Sequence, residues 1–278
     1  MKLWHMYDCT DYAVNLFNCP TVAYSGEIDK QKQAADMMAK ALEAEGITLT
    51  HLIGPKTAYA YHKETKQEIN ERIDRIAARG RNVVPTKVRF TTWTLRYNEC
   101  LWVRVDGMNA HWERARVDAE LVGDGVKVKT ENVRGLTLSM RAGECPFDNT
   151  HKPKVVLDGQ EVECAPALSD RSWTAHFRKA DRWAAVGSPT EEGLHKIHGL
   201  QGPIDDAFMD SFLIVKPSGT PLNKEVGAWE EAEMNHAIAH WRNQFRGEPR
   251  VKTDDEITDA NSPLTIWSFG ATQRAIGF

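Results

Sequence analysis

Residues 21–54, TVAYSGEIDKQKQAADMMAKALEAEGITLTHLIG, decide how the amino-terminal part of this chain folds. Thr21-Val22-Ala23-Tyr24-Ser25 is a short β-prone run that follows Pro20 and stops at Gly26. Ala34, Ala35, Met38, Ala41 and Leu42 then fall on one face at helical spacing, and Gly46 ends that helix. Thr48-Leu49-Thr50-His51-Leu52-Ile53 reads as a second strand closed by Gly54-Pro55. A second helix from Glu64 to Arg79 carries Ile69, Ile73 and Ile76 on one face, with Gly80 as its stop. Strand, helix, strand, helix at this spacing predicts a parallel sheet covered by helices. Two strands alone do not bury both faces of such a sheet. Residues 1–84 are therefore expected to lean on the rest of the chain or on a second copy, because an uncovered sheet edge is an aggregation hazard.

Outward from this stretch the pattern changes. From Pro85 to Gly187 the chain reads as short strands at roughly ten-residue spacing, which predicts a β-sandwich over 85–187. Val88, Phe90, Trp93, Leu95 and Tyr97 lead into Leu101, Val103 and Val105, with a hairpin expected at Asn98-Glu99. Further runs lie near 117–121, 126–130, 133–140, 154–163 and 172–178. The tryptophans of this region (Trp93, Trp102, Trp112, Trp173 and Trp183) read as core, with a carbohydrate-stacking platform as the alternative. Residues 188–278 return to an α/β pattern. Phe212-Leu213-Ile214-Val215 is a buried-type strand, 226–245 is an amphipathic helix through Val226, Met234, Ala237, Ile238, Trp241 and Phe245, and Leu264–Trp267 is a final strand. The fold class is α+β.

Composition narrows the function classes. With 35 basic and 39 acidic residues the net charge is −4, which argues against a nucleic-acid footprint. No run of 18 apolar residues is present, so no membrane span is expected. MKLWHMYDCTDY has no apolar core or cleavage site of a signal peptide, so a cytoplasmic location is expected. Trp4, Tyr7, Tyr12 and Phe17 make this opening look like the inside of a domain and suggest a start within a longer protein. Five scattered cysteines fit neither a metal knuckle nor a dense disulfide framework and read as reduced thiols. Neither G-x-G-x-x-G nor a P-loop occurs, which sets aside dinucleotide oxidoreductases, kinases and NTPases.

Asp29 follows the first strand and His62 follows the second, where open α/β sheets build their sites. Acid before histidine is the chain order of an α/β-hydrolase after its serine. An aspartate directly before a helix also serves as an ordinary N-cap, and both readings stand at this point. The stretches 19–42 (CPTVAYSGEIDKQKQAADMMAKAL), 50–74 (THLIGPKTAYAYHKETKQEINERID) and 87–121 (KVRFTTWTLRYNECLWVRVDGMNAHWERARVDAEL) resemble prolyl-oligopeptidase-like serine hydrolases of environmental bacteria. The likeness continues through 202–219 and 240–260 and is lost from Asn261 on. It implies a partial α/β-hydrolase segment over 1–84, a strand-rich extension, Asp29 as triad acid and a triad histidine in the loop 57–62. Such hydrolases often carry that histidine where this chain has Tyr59, leaving His62 as the histidine of the loop. No G-x-S-x-G occurs, so the nucleophile elbow would precede residue 1, and the chain looks like the C-terminal part of a longer hydrolase. Ser25, four residues before Asp29, is a poor substitute.

The resulting expectation is a hydrolase of carboxylic esters, lactones (acyl lactones among them) or amides, working on a small-molecule substrate with water activated by His62 or by a cation. The alternative is a non-catalytic binding or structural fragment of a serine hydrolase. For the cation, calcium is the candidate, with Asp254, Asp255, Glu256 and Asp259 as the acidic loop and Asp205, Asp206 and Asp210 as a second cluster. Both clusters also read as solvated loops. His195-x-x-His198 beside His176 and His151, and the His236/His240 pair one helical turn apart, are weaker metal patterns.

Overall fold

The computed structural model describes residues 2–208, 211–258 and 265–268. They divide into two compact units, Met1–His198 and Gly199–Phe278. The chain is mixed α+β, with several separate sheets.

In the first unit, two 3₁₀ segments (Lys2–Met6 and Cys9–Asn18) precede β1 (Val22–Gly26), α1 (Lys32–Ala44), β2 (Thr50–Gly54) and α2 (Lys63–Arg79). β1 and β2 pair in parallel, from Val22↔Thr50 to Gly26↔Gly54. The helices stop where Gly46 and Gly80 take φ of +72°, a conformation a side chain disfavours. Strand–helix–strand–helix thus stands as the sequence predicts.

The rest of the unit is β3 (Lys87–Thr92), β4 (Glu99–Cys100), β5 (Val103–Met108), β6 (Ala115–Leu121), β7 (Gly125–Glu131), β8 (Val133–Met140), β9 (Lys154–Leu157), β10 (Gln160–Val162), β11 (Trp173–Lys179) and β12 (Trp183–Val186). They form two five-stranded sheets, ordered β10-β9-β7-β6-β3 and β12-β11-β8-β5-β4. Alternation along the strands sends one face of each sheet inward. Val88, Phe90 and Val117 from one sheet join Val105, Leu136 and Phe177 from the other in a single core. Trp102, Trp173 and Trp183 belong to that core, and their indole N–H groups donate to the Pro85 carbonyl, the Ala165 carbonyl and the Asp158 carboxylate. That pairing is what lets a tryptophan be buried at all.

Two details depart from the sequence reading. β3 ends at Thr92 and pairs with β6, while the hairpin sits at Leu101-Trp102 between β4 and β5. The run 88–105 is therefore split between two sheets, a choice made by long-range pairing. At the amino terminus Trp4 and Tyr7 are exposed, and His5 stacks on Trp93 at 3.7 Å.

The 3₁₀ segment Cys9–Asn18 covers the open edge of β3 with side chains. The Asn15 amide donates to the Thr91 carbonyl (2.9 Å) and accepts the Thr91 N–H (2.7 Å). The Asn18 amide does the same for Arg89, at 2.6 and 3.1 Å. The match is geometric. Three residues of 3₁₀ helix rise about 6 Å, and two residues of strand advance about 6.8 Å. Asparagines at i and i+3 therefore meet alternate strand residues as a neighbouring strand does.

A second tie runs from α1 to the sheet. Glu45, just past the helix end, receives Arg114 and Arg116 on separate carboxylate oxygens, each at 2.5 Å, and its carbonyl accepts from Arg89. Burial raises the Glu45 carboxyl, but the hydrogen bonds and charges of Arg116 and Arg114 outweigh it and hold the group below its ordinary value.

The second unit contains β13 (Phe212–Lys216), α3 (Lys224–Phe245), β14 (Val251–Thr253) and β15 (Thr265–Ser268), in a parallel sheet ordered β14-β13-β15. Asn223 caps α3 by accepting from Glu225 N and Val226 N. Phe212, Ile214 and Met234 form its core, with Ile238 and Trp241 against them. The ends of the expected helix stripe stay out of this core: Val226 is 49% and Phe245 67% exposed.

Candidate functional site

The loops that leave the carboxyl ends of β1 and β2 are clasped together. Glu27 N donates to Gly54 O (2.9 Å), Ile28 N to Thr57 O (3.0 Å), and Lys56 N to the Glu27 carboxylate (2.8 Å). Gly26 makes this approach possible, since a Cβ there would lie 2.2 Å from the Ala58 carbonyl oxygen. The Tyr24 hydroxyl pins the second loop by donating to Ala60 O (2.8 Å) and accepting from His62 N (2.9 Å). Tyr61 stacks on the Tyr24 ring at 4.8 Å, while Tyr59 is exposed.

Asp29 and His62 are thus brought onto two joined loops, but their side chains are engaged separately. Asp29 Oδ1 accepts from Gln31 N at 2.8 Å, a helix-entry turn. His62 occupies the residue before α2, with Nε2 3.0 Å from Glu64 Oε2 and Nδ1 3.1 Å from Thr65 Oγ1. Among the described residues Asp29 and His62 share no hydrogen bond or ion pair. The carboxylate that faces the imidazole is Glu64. Its signal in the sequence was the His-x-Glu spacing at the start of a helix, where positions two and three residues on face back toward the cap.

Ser25 has a partner that sequence reading missed. Its Oγ lies 2.9 Å from His51 Nε2, because Ala23 is opposite His51 in the parallel register and both side chains leave the same face. His51 Nδ1 is 3.8 Å from Asp36 Oδ1, and Lys32 holds that carboxylate at 2.6 and 2.8 Å. The residue types match a nucleophile, base and acid. However, Ser25 is only 6% exposed, and the gap from His51 to Asp36 exceeds a hydrogen bond. The arrangement ties α1 to both strands.

The acidic loop folds its carboxylates onto the backbone. Asp254 accepts from Ser218 N and Asp255 N, and Glu256 accepts from Thr253 N in a capping box. The Ser218 bond holds Asp254, and the Thr253 bond holds Glu256, below the ordinary carboxylate value. Asp259 lies outside the described residues, as do Asp210 and the side chain of Asp205, and Asp206 accepts from Gln201. The histidines have separate partners. His195 meets Gly193 O, His198 meets Leu95 O, His176 meets Thr137, and His151 meets Thr150. His236 and His240 stack at 4.2 Å. Among the described residues no three His, Cys, Asp or Glu side chains converge to hold a metal ion. None of the described helices is long and apolar enough to cross a membrane.

No family model, no curated protein and no solved structure matches this chain.

Proposed function

We propose that this chain is a hydrolase of carboxylic esters or lactones, with His62 as the proton-transfer group and Glu64 as the carboxylate that orients it. The reading is supported by one observation above the others. A carboxylate–imidazole couple at 3.0 Å stands on the loop after one parallel strand, clasped to the Asp29 loop after its neighbour. With Nε2–H donating a hydrogen bond to Glu64, the neutral imidazole presents Nδ1 toward the Thr65 hydroxyl and any water bound beside it. Nδ1 takes a proton from that water as the water oxygen bonds to the substrate carbonyl carbon. The C–O bond to the leaving group then breaks, and the imidazolium returns the proton to the departing alkoxide. Asp29 spends one carboxylate oxygen on Gln31 N and keeps the other open to water or substrate. Activated substrates such as acyl lactones suit a site with this little machinery. In the same reading β1–α1–β2–α2 is a partial α/β-hydrolase segment, and the two five-stranded sheets are a β-sandwich.

The second reading, a non-catalytic binding or structural module, is favoured by the missing bond between Asp29 and His62. The deciding experiment is proton release from short-chain esters, acyl lactones and prolyl peptides by the intact chain, with and without chelator. Turnover is expected, and His62→Gln should reduce it by about 10²-fold or more. Turnover that survives the loss of His62 removes it from the chemistry. Loss with chelator redirects attention to calcium at the acidic loop, and silence with every substrate leaves the binding module.

A further inference from the structure

A cavity of about 620 Å³ opens on the outward face of the β12-β11-β8-β5-β4 sheet, remote in sequence from the loops above. Its size falls in the range of small-molecule pockets. Three arginines line it: Arg81 from the segment after α2, Arg104 from β5 and Arg141 from the loop after β8. Arg104 is committed to the sheet face, to Asp106 at 2.8 Å and to Thr137 at 3.3 Å. Thr137 is in turn hydrogen-bonded to Asp106 and His176, so this floor is rigid. The guanidiniums of Arg81 and Arg141 have no hydrogen-bond or ion-pair partner among the described residues.

Neither carboxylate in the wall forms an ion pair with them among the described residues. Glu144 accepts from the Arg141 backbone N–H, and the Glu99 carboxylate is exposed with no hydrogen-bond or ion-pair partner among the described residues. The wall also holds a backbone outlier. Leu101 takes φ of +57° in the two-residue turn between β4 and β5. A residue with a side chain rarely adopts this left-handed backbone. That turn sets Glu99 and Cys100 against the cavity.

We propose that this cavity binds a small hydroxylated organic anion, its carboxylate or phosphate gripped by Arg81 and Arg141 and its hydroxyls donating to Glu99. A guanidinium fork matches two oxygens of a carboxylate or a phosphate. The Cys100 thiol, which burial pushes up to about 11, stays neutral beside the ligand and adds no opposing charge.

The test is calorimetric titration of the whole chain with gluconate, glucose 6-phosphate and glucose. Saturable binding of gluconate assigns a carboxylate ligand, and tighter binding of glucose 6-phosphate assigns a phosphate. Arg81→Gln and Arg141→Gln should each weaken binding about tenfold or more, as expected for a lost charged hydrogen bond. Both side chains are exposed, so the variants should keep the parent unfolding midpoint. Arg72→Gln, on α2, should bind as the parent does. Binding of neither anion, equal binding of glucose, or indifference to both arginine variants overturns the proposal. None of these readouts depends on turnover, so the proposal stands or falls apart from the hydrolase reading.

Discussion

Replacing Asn15 and Asn18 by alanine uncovers the edge of β3 and leaves its hydrophobic face untouched. Each asparagine makes two hydrogen bonds to one strand residue, at 2.9 and 2.7 Å for Thr91 and at 2.6 and 3.1 Å for Arg89. A net hydrogen bond contributes about 0.5–1.5 kcal/mol, so each asparagine contributes about 1–3 kcal/mol before solvent is considered. These bonds are part-buried, and water reaching the freed groups recovers some of the loss. That places each variant at about 1–2 kcal/mol and the pair at about 2–4 kcal/mol. For a unit of this size the double variant should melt about 5–12 °C lower. Urea denaturation gives the energy, and hydrogen exchange gives the location. The Arg89 and Thr91 amides should lose protection, while the Val117 amide, on the inner neighbour β6, keeps its own. Unchanged exchange at Arg89 and Thr91 in the double variant would refute the idea that the asparagines stand in for a strand.

Three other outcomes follow from the same geometry. Glu45 has its carboxyl held below the ordinary value of 4.5, so its contribution to stability is full above that pH and fades as pH falls through the lower folded value. Glu45→Gln should cost about 1–2 kcal/mol at neutral pH and flatten the acid limb of a stability–pH curve; an unchanged acid limb would count against the Arg114–Glu45–Arg116 tie. Gly26→Ala puts a methyl carbon 2.2 Å from the Ala58 carbonyl and should open the clasp between the two loops, seen as faster exchange at the Glu27 and Ile28 amides. Cys9 and Cys19 are exposed, whereas Cys145 and Cys164 are buried and pushed up by that burial, Cys164 to about 11. An aromatic disulfide reagent at pH 8 should therefore consume Cys9 and Cys19 quickly and the buried pair only after denaturation; equal rates would show that the core opens freely.

Much of this fold is legible because it is written in short-range signals. Met38, Ala41 and Leu42 in α1, and Ile69, Ile73 and Ile76 in α2, fall at helical spacing, Gly46 and Gly80 stop the helices, and Asp158-Gly159 turns β9 into β10. What the sequence hides is pairing at a distance. β3 looks continuous with the run after it, and only its bonds to β6 assign it to the other sheet. Asn15 and Asn18 look like loop residues, because an amide acting as a strand surrogate has no hydrophobic period. The loops that carry Asp29 and His62 are legible as strand ends, and β1 and β2 pair side by side. Which carboxylate faces the imidazole is not legible, since that depends on the rotation of the first helical turn, which brings Glu64 round to His62. His51 escaped notice for a similar reason, because its proximity to Ser25 exists only in the parallel register.

The order in which the chain builds its two large sheets has a consequence for how the unit behaves as a whole. The chain changes sheet after β3, β5, β7, β8 and β10, so neither sheet is made from a continuous segment. No single cut in a connecting loop separates the two sheets into two pieces, and no early hairpin can wait for the remainder with its apolar face satisfied. Such interleaving raises contact order, which slows folding toward the millisecond-to-second range of strand-rich domains. It also ties the two sheets together: a nick in any one of these loops leaves at least one sheet shared between the two pieces.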